Sequence, residues 1–214
     1  MSLYEDKEKD VLEHIKNHDE ESRKSLKNHE WTEKTAVKAF LRKCGIKFKD
    51  GELIPIHQGL QPPDVRFRDA NFEVTEVLDE GRRRDDEYKE KIKQGWQATS
   101  SADLLNSTPM EFPVLLMEIE KGMDNKFNKY NNPNICKKFD LLVYVNLEKR
   151  HLIPLRTVNG SSEFLTKVEK QGWRSVSFLT KSYGGVIFCL GDAPDFLKSL
   201  NGLIRSGNWN DFEN

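Results

Sequence analysis

Hydrophobic positions along the chain predict helices at its start and strands in its middle. From residue 30 to residue 43, apolar side chains recur at helical spacing, with Phe40 and Leu41 among them, and Gly45 follows as a stop signal. The preceding residues, 1–29, carry many charges around a thin apolar stripe. Such a stripe predicts a surface helical arm that contacts a partner or a second copy of the chain.

Strand patterns dominate the middle of the chain. The stretch 52–57 alternates weakly and contains Pro55, which favours a strand near the edge of a sheet. Residues 138–147 form a long apolar run and predict a buried strand. Three later apolar stretches predict further strands: "HLIPL", "SVSFL" and "GVIFCL". Helical patterns interrupt the strands in two places, "DEGRRRDDEYKEKIKQGWQ" and "EKGMDNKFNKYNN", and "APDFLKSL" predicts a short C-terminal helix.

This order of elements predicts the fold class and the organisation of the chain. Helices at the start, strands in the middle and helices between the strands favour an α/β domain with a mixed central sheet flanked by helices. The length of 214 residues suits one such domain with an added segment. We therefore predict an N-terminal helical arm over residues 1–29, an α/β domain over 30–200 and a C-terminal tail over 201–214.

Composition limits the classes of function. The formal net charge is −1, so any affinity for nucleic acid must come from a local basic patch. Three separated cysteines without a CxxC pair predict reduced thiols, as in cytoplasmic proteins. No apolar run approaches the roughly 20 residues that span a bilayer, and no signal peptide is visible. Phosphate-binding loops, dinucleotide fingerprints and nucleophile elbows are also missing from the sequence.

The stretch "PPDVRFRDANFEVTEV", residues 62–77, predicts a hairpin with its turn at Asp69 and Ala70. That register sets Arg66 opposite Glu73. Because side chains alternate along a strand, polar and apolar residues then separate onto two faces. The polar face would carry Asp64, Arg66, Glu73 and Thr75, and the apolar face Val65, Phe67, Phe72 and Val74.

Two carboxylates on one face of a hairpin require a positive charge between them. Arg66 could supply it as an ordinary cross-strand ion pair. A divalent cation could supply it equally well, because Mg²⁺ prefers one or two carboxylates together with water and phosphate oxygens. A metal held in this way activates water and neutralises a phosphate under attack. We expect Mg²⁺, with Mn²⁺ as a substitute, at Asp64 and Glu73.

The spacing of these acids follows the PD-(D/E)xK pattern of metal-dependent nucleases. Pro63 and Asp64 supply the first part, and Glu73-Val74-Thr75 the second, with threonine where the pattern has lysine. The run from residue 62 to residue 88 resembles an uncharacterised bacterial family regarded as endonucleases with a restriction-endonuclease-like fold. The likeness continues in three later stretches: "DLLVYVNL", "QGWRSVSF" and "APDFL".

The resemblance implies that the helix over residues 30–43 packs near the site and contributes a glutamate. Glu33 is preferred for this role and Glu30 is the alternative. The resemblance also implies that the lysine of the pattern offsets charge in the transition state, whereas Thr75 could only orient water. Losing one preorganised charge typically costs on the order of a hundredfold in rate. A lysine from the following helix could compensate, and Lys89, Lys91 and Lys93 lie there.

Two basic stretches are candidates for contacts with nucleic acid. Beside Arg66, the run of Arg82, Arg83 and Arg84 could bind phosphates, or could pair with the acidic residues around it. The segment "EKGMDNKFNKY", residues 120–130, mixes lysines with Phe127 and Tyr130. Its aromatic rings could stack on bases or could pack in the core.

The sequence therefore predicts a metal-dependent endonuclease that acts on DNA. Asp64, Glu73, Thr75 and Glu33 are its candidate catalytic residues. The alternative is a catalytically inactive member of the same fold that binds nucleic acid or protein.

Overall fold

The computed structural model describes residues 29–56, 62–81, 108–147, 150–153 and 157–206, without the side chains of residues 29–32. The predicted arm up to residue 28 and the end of the tail from residue 207 lie outside the described residues. So do the arginine run 82–84 and the charged helix predicted after it.

Five α-helices and nine strands are present in the described part of the chain. The helices are α1 (His29–Lys43), α2 (Phe112–Tyr130), α3 (Pro133–Cys136), α4 (Ser162–Gln171) and α5 (Asp195–Lys198). The strands are β1 (Leu53–Pro55), β2 (Val65–Phe67), β3 (Ala70–Leu78), β4 (Thr108–Met110), β5 (Asp140–Asn146), β6 (Arg150–Leu152), β7 (Ser175–Leu179), β8 (Gly184–Cys189) and β9 (Ile204–Arg205). None of the described helices has the length and apolar character needed to cross a membrane.

Seven strands form a mixed sheet in the order β1-β2-β3-β5-β7-β8-β9. Strands β1, β2 and β3 are antiparallel neighbours, β3, β5 and β7 run parallel, and β8 and β9 return antiparallel. The predicted mixed sheet flanked by helices is thus confirmed. Strand β1 lies at one edge of the sheet and β9 at the other. Strand β9 belongs to residues 201–214, the segment that was predicted to be a tail. The first two residues of the stretch "HLIPL" lie in β6, which pairs with β4 in a separate two-stranded sheet, and its last two lie outside the described residues.

Helices cover both faces of the sheet. On one face, α1 and α5 pack against β2 and β3, burying Phe40, Phe67 and Phe72. On the other face, α2 and α4 pack against the parallel strands, burying Ile119 and Trp173. The Trp173 indole N–H donates to Gln171 Oε1 at 2.9 Å, so this polar group is satisfied in the core.

Helix α2 joins two segments that look different in sequence. Its first half is the apolar stretch "FPVLLMEI" and its second half is lysine-rich. Leu115, Ile119 and Met123 recur every four residues and are fully buried against the sheet. The helix ends at Asn131, whose φ of 46° is left-handed. This packing fixes which side of the lysine-rich half faces β3.

The hairpin register differs from the prediction by two residues. Its turn is formed by Arg68 and Asp69, and Arg66 pairs with Asn71. Arg68 has a φ of 52°, in the left-handed region that short hairpin turns use. Ala70 is fully buried, so it belongs to β3 and not to the turn. Because the shift is two residues, the predicted polar and apolar faces are retained.

A buried ion pair fastens the hairpin to the rest of the sheet. Asp140, fully buried at the start of β5, accepts hydrogen bonds from the backbone N–H of Asn71 at 2.9 Å and the hydroxyl of Ser175 at 2.8 Å. The guanidinium of Arg174 pairs with the same carboxylate and also donates to the Asp69 carbonyl. The turn is therefore tied to β5 and β7, which holds the acidic residues of the hairpin in place.

Gly122 permits α2 to lie close to the sheet. A Cβ there would be 2.7 Å from Val143 Cγ1, 3.0 Å from Val77 Cγ2 and 3.1 Å from Thr75 Cγ2. Alanine is favoured over glycine in a helix by about 1 kcal/mol, but overpacking a core costs about 1–3 kcal/mol. Because the added Cβ would meet three stiff β-branched side chains, we expect overpacking in the upper half of this range. Gly122→Ala should then lower the free energy of unfolding by a net amount of about 1–2 kcal/mol, measured by urea denaturation.

Gly51→Ala is the matched control, because no heavy atom lies within 4 Å of a Cβ built there. We expect it to change stability little. A Gly122→Ala variant as stable as wild type would show that α2 does not lie this close to β3.

Candidate functional site

Asp64, one residue before the start of β2, and Glu73, on β3, converge at the margin of the hairpin. The ammonium of Lys126, on α2, bridges them, with Nζ 2.8 Å from Asp64 Oδ2 and 2.8 Å from Glu73 Oε2. The three side chains are 17%, 0% and 11% exposed for Asp64, Glu73 and Lys126 respectively. Two carboxylates and an ammonium thus form a nearly buried cluster at the edge of β3.

Asp64 also extends the hydrogen bonding of β3. Its backbone N–H donates to the Phe72 carbonyl at 3.0 Å, and its Oδ2 accepts from the Val74 N–H at 2.8 Å. One residue before β2 begins, the Asp64 carboxylate thus accepts the kind of hydrogen bond that β3 would otherwise give to a strand carbonyl. Within the described residues, both hydrogen bonds that its carboxylate accepts reach Oδ2.

Glu73 is the most deeply buried charge of the cluster. Its Oε2 accepts from Lys126 and from the hydroxyl of Tyr130, which is 2.7 Å away. Its Oε1 is buried and has no hydrogen-bond partner among the described residues. Burial raises the pKa of the Glu73 carboxyl, although Lys126 acts in the opposite direction. An unpartnered buried carboxylate oxygen is costly, which points to a role beyond stability.

Lys126 and Tyr130 lie one helical turn apart on α2 and therefore reach the same point. Burial lowers the pKa of the Lys126 ammonium, but the nearby carboxylates of Asp64 and Glu73 outweigh it, so the pKa lies above its ordinary value. Burial and the hydrogen bond to Glu73 raise the pKa of the Tyr130 hydroxyl. Lys126 therefore stays charged, and Tyr130 stays a neutral donor, at physiological pH.

Glu33 brings a third carboxylate from α1, which packs on the opposite face of the sheet from α2. Burial, followed by the negative charges of Asp64 and Glu73, raises the pKa of Glu33 from 4.5 to about 7, while Lys126 and Lys129 partly offset this. The helix glutamate that was predicted for the site thus belongs to the same electrostatic cluster. Its carboxyl group changes protonation state near neutral pH.

The other predicted site residues have different surroundings. Thr75 lies two residues beyond Glu73 on the same face of β3, and its methyl group faces Gly122. Arg66 is exposed and does not bridge the two acids, so the predicted alternative of an Arg66 ion pair is wrong; Lys126 occupies that position. The three arginines of the run 82–84 lie outside the described residues.

Sequence reasoning did not assign Lys126 and Tyr130 to the carboxylates. Both belong to the lysine-rich segment 120–130, for which the sequence allowed two alternatives: contact with nucleic acid or packing in the core. The available signal was the spacing of a lysine and a tyrosine four residues apart, in a helix adjoining β3. Their partner Glu73 is more than 50 positions earlier in the chain, and only the packing of α2 connects them.

Charge is unbalanced in this cluster. Glu33, Asp64 and Glu73 provide three carboxyl groups, against one bridging ammonium from Lys126. Within the described residues, no three His, Cys, Asp or Glu side chains form a ready-made metal cage. The excess of negative charge nevertheless makes the cluster attractive to a cation.

The sequence of the whole domain matches a known family. The profile of the family described as "Putative endonuclease, protein of unknown function (DUF1780)" matches residues 7–207. The chain belongs to this family. This membership confirms the predicted resemblance to a family that is described as endonucleases. The match includes the residues of the Asp64–Glu73–Lys126 cluster. No curated protein matches the chain.

A solved structure has the same overall fold. It is PA4535, a protein of unknown function from Pseudomonas aeruginosa strain PAO1 that is described as a member of the Monooxygenase Superfamily. The TM-score is 0.62 at 23% sequence identity, and the match covers 93% of this chain and 95% of that chain. At this identity the likeness concerns the fold alone, a mixed sheet flanked by helices.

The raised pKa of Glu33 predicts a pH-dependent stability. The folded protein retains the Glu33 proton between the ordinary pKa of 4.5 and about 7, so this carboxyl lowers the free energy of unfolding as pH rises through that window. One pKa unit corresponds to about 1.4 kcal/mol, and Glu33 is partly exposed. We expect Glu33→Gln to be about 1–2 kcal/mol more stable than wild type at pH 8, and close to wild type near pH 4.5.

Urea unfolding in EDTA across this pH range measures the effect without bound metal. Glu169→Gln, at an exposed position on α4, is the matched control and should show no such pH-dependent difference from wild type. A Glu33→Gln variant that is less stable than wild type at pH 8 would show that the Glu33 carboxylate is favourably paired in the folded protein.

Proposed function

We propose that the protein is a metal-dependent endonuclease that hydrolyses phosphodiester bonds of DNA at the Asp64–Glu73–Lys126 cluster. The observation that carries the proposal is the convergence of the PD-(D/E)xK carboxylates with a lysine supplied by α2. Membership in a family described as endonucleases supports the reaction type. The position of α1, which brings Glu33 to the carboxylates, supports a restriction-endonuclease-like arrangement.

The residues present fit a hard divalent cation. Within the described part of the chain, Glu73 Oε1 is a buried carboxylate oxygen without a partner, and Asp64 adds a second carboxylate to the same cluster. Mg²⁺ is commonly bound by only one or two carboxylates together with substrate phosphate and water, so a cage of three acids is not required. Asp64 and Glu73 would hold the ion. The third candidate ligand is the backbone carbonyl of Val74, a residue whose N–H donates to Asp64.

When bound, Mg²⁺ or Mn²⁺ would lower the pKa of a water molecule and neutralise charge on the phosphate. Lys126 contributes a fixed positive charge at Nζ that can stabilise negative charge developing on the phosphate, the role that Thr75 cannot fill. Glu33 can take up or release a proton near neutral pH, because its pKa is about 7. Thr75, further along the same face, remains a candidate for orienting water.

One observation favours the catalytically inactive alternative. Lys126 already satisfies Asp64 Oδ2 and Glu73 Oε2, so the cluster could be a structural ion pair without a metal. Such a protein would retain the fold and bind nucleic acid or protein without cleaving it. Activity and metal dependence distinguish the two functions.

We expect the wild-type protein to nick supercoiled plasmid in Mg²⁺ or Mn²⁺ but not in EDTA. Asp64→Asn and Glu73→Gln should reduce the cleavage rate by about a hundredfold or more, because each removes a charged metal ligand. Lys126→Met should cause a similar loss, because it removes the only cation that bridges the two acids among the described residues. Gel analysis of initial rates measures all three effects.

Lys121→Met is the control on the same helix, because the Lys121 side chain is 60% exposed and pairs with Glu118 instead. It should cleave at the wild-type rate. Metal-dependent cleavage that survives both acidic substitutions would place the reaction elsewhere in the chain. Absence of cleavage by the wild-type protein in either metal would favour the inactive alternative.

A further inference from the structure

A cavity of about 470 Å³ lies directly beside the carboxylate cluster. Two of the residues that line it adjoin the cluster. Pro63, which precedes Asp64, lines the cavity, and so does Tyr130, whose hydroxyl donates to Glu73. A molecule in the cavity would therefore be next to Asp64 and Glu73.

Two cations lie at this cavity. Arg66 and Lys138 both line it and are exposed. Within the described part of the chain neither forms an ion pair, whereas Arg68 of the same hairpin is bound to Glu52 at 3.2 Å. Two cations without acidic partners among the described residues, beside a cavity in a chain with a net charge of −1, are suited to an anionic ligand.

The remaining walls are apolar and aromatic, apart from one amide. Pro62, Pro63, Ile135, Phe139 and the ring of Tyr130 surround the space, and Asn71 contributes its side-chain amide. Tyr130 and Phe139 lie 6.2 Å apart between ring centroids and are tilted by 36°. Flat apolar walls, one amide and cations are the groups that bind a nucleobase with its phosphate.

Two other cavities of similar size lack this combination. One, of about 440 Å³, is lined by polar and charged residues of α4 without an aromatic ring. The other, of about 490 Å³, has no aromatic ring in its lining and carries twice as many acidic as basic residues, which disfavours phosphate: Glu76, Asp79, Glu80 and Glu118 against Lys121 and Arg150. The cavity beside the carboxylates is therefore the best match to a nucleotide among the three.

We propose that this cavity binds one unpaired nucleotide of the DNA strand, so that the preferred substrate is single-stranded or locally unpaired DNA. The inference rests on the proposed function for the adjoining phosphodiester chemistry. A base in a duplex is stacked and paired, and it can enter a cavity only after leaving the stack. Arg66 and Lys138 contact the phosphates of this strand, and the aromatic and proline walls contact the base.

Fluorescence anisotropy with a labelled 12-nucleotide DNA strand in EDTA tests the inference without requiring cleavage. We expect the single strand to bind at least tenfold more tightly than a duplex of the same sequence. Arg66→Gln combined with Lys138→Gln should weaken binding of the single strand about tenfold or more. It should also reduce the slope of log K against log salt by about 1 to 1.5, as expected for two lost phosphate contacts.

A double variant at two exposed lysines elsewhere, Lys170→Gln with Lys181→Gln, has the same change in net charge and is the matched control. It should bind like wild type. A strand made entirely of abasic nucleotides retains the phosphates but has no bases. We expect it to bind about fivefold more weakly or worse, because base stacking on the walls is lost.

Equal affinity for single strand and duplex, equal losses in the two double variants, or no binding by the wild-type protein would each overturn the inference. These outcomes are separable from failure of the proposed function. Plasmid cleavage that depends on Asp64 and Glu73, with no loss of strand binding in the Arg66 and Lys138 variant, would remove only the cavity inference. Strand binding that depends on Arg66 and Lys138, without any cleavage, would remove only the nuclease.

Discussion

The burial of the Glu73 carboxylate is the constraint on which the site depends. A buried carboxylate requires a compensating partner, and Lys126 supplies it at 2.8 Å from α2. Removing one member of such a pair typically costs about 3–5 kcal/mol, so the pairing links the position of α2 to that of the hairpin. Gly122 lets the helix approach the sheet, and Asp140 holds the turn against β5.

This arrangement gives the site its chemical character. The carboxylates of Asp64 and Glu73 come from the hairpin, while Glu33 arrives from a helix on the other face of the sheet. One ammonium does not balance three carboxyl groups, and burial together with the negative charges of Asp64 and Glu73 raises the pKa of Glu33 to about 7. In the function that we propose, a divalent cation bound together with phosphate would offset this shortage of positive charge.

Local pattern was sufficient to predict much of the fold and the acidic half of the site. Alternation along β3 separated Glu73 from the apolar face, and the apolar run of β5 indicated a strand inside the sheet. The register could not be obtained in this way, because a shift of two residues leaves both faces unchanged; it is the turn at Arg68, with Ala70 buried in β3, that shows the observed pairing. Lys126 was not assigned because its contact with Glu73 depends on long-range packing.

Crystals of the wild-type protein grown with Mn²⁺ would show directly whether Asp64 and Glu73 form a metal site. We expect an anomalous scattering peak for a Mn²⁺ ion bound by oxygens of both carboxylates, including Glu73 Oε1, with Lys126 Nζ displaced from its bridging position. Crystals grown in high Mn²⁺ that show no peak at these residues, with Lys126 still bridging them, would contradict this expectation and leave the cluster as a structural ion pair.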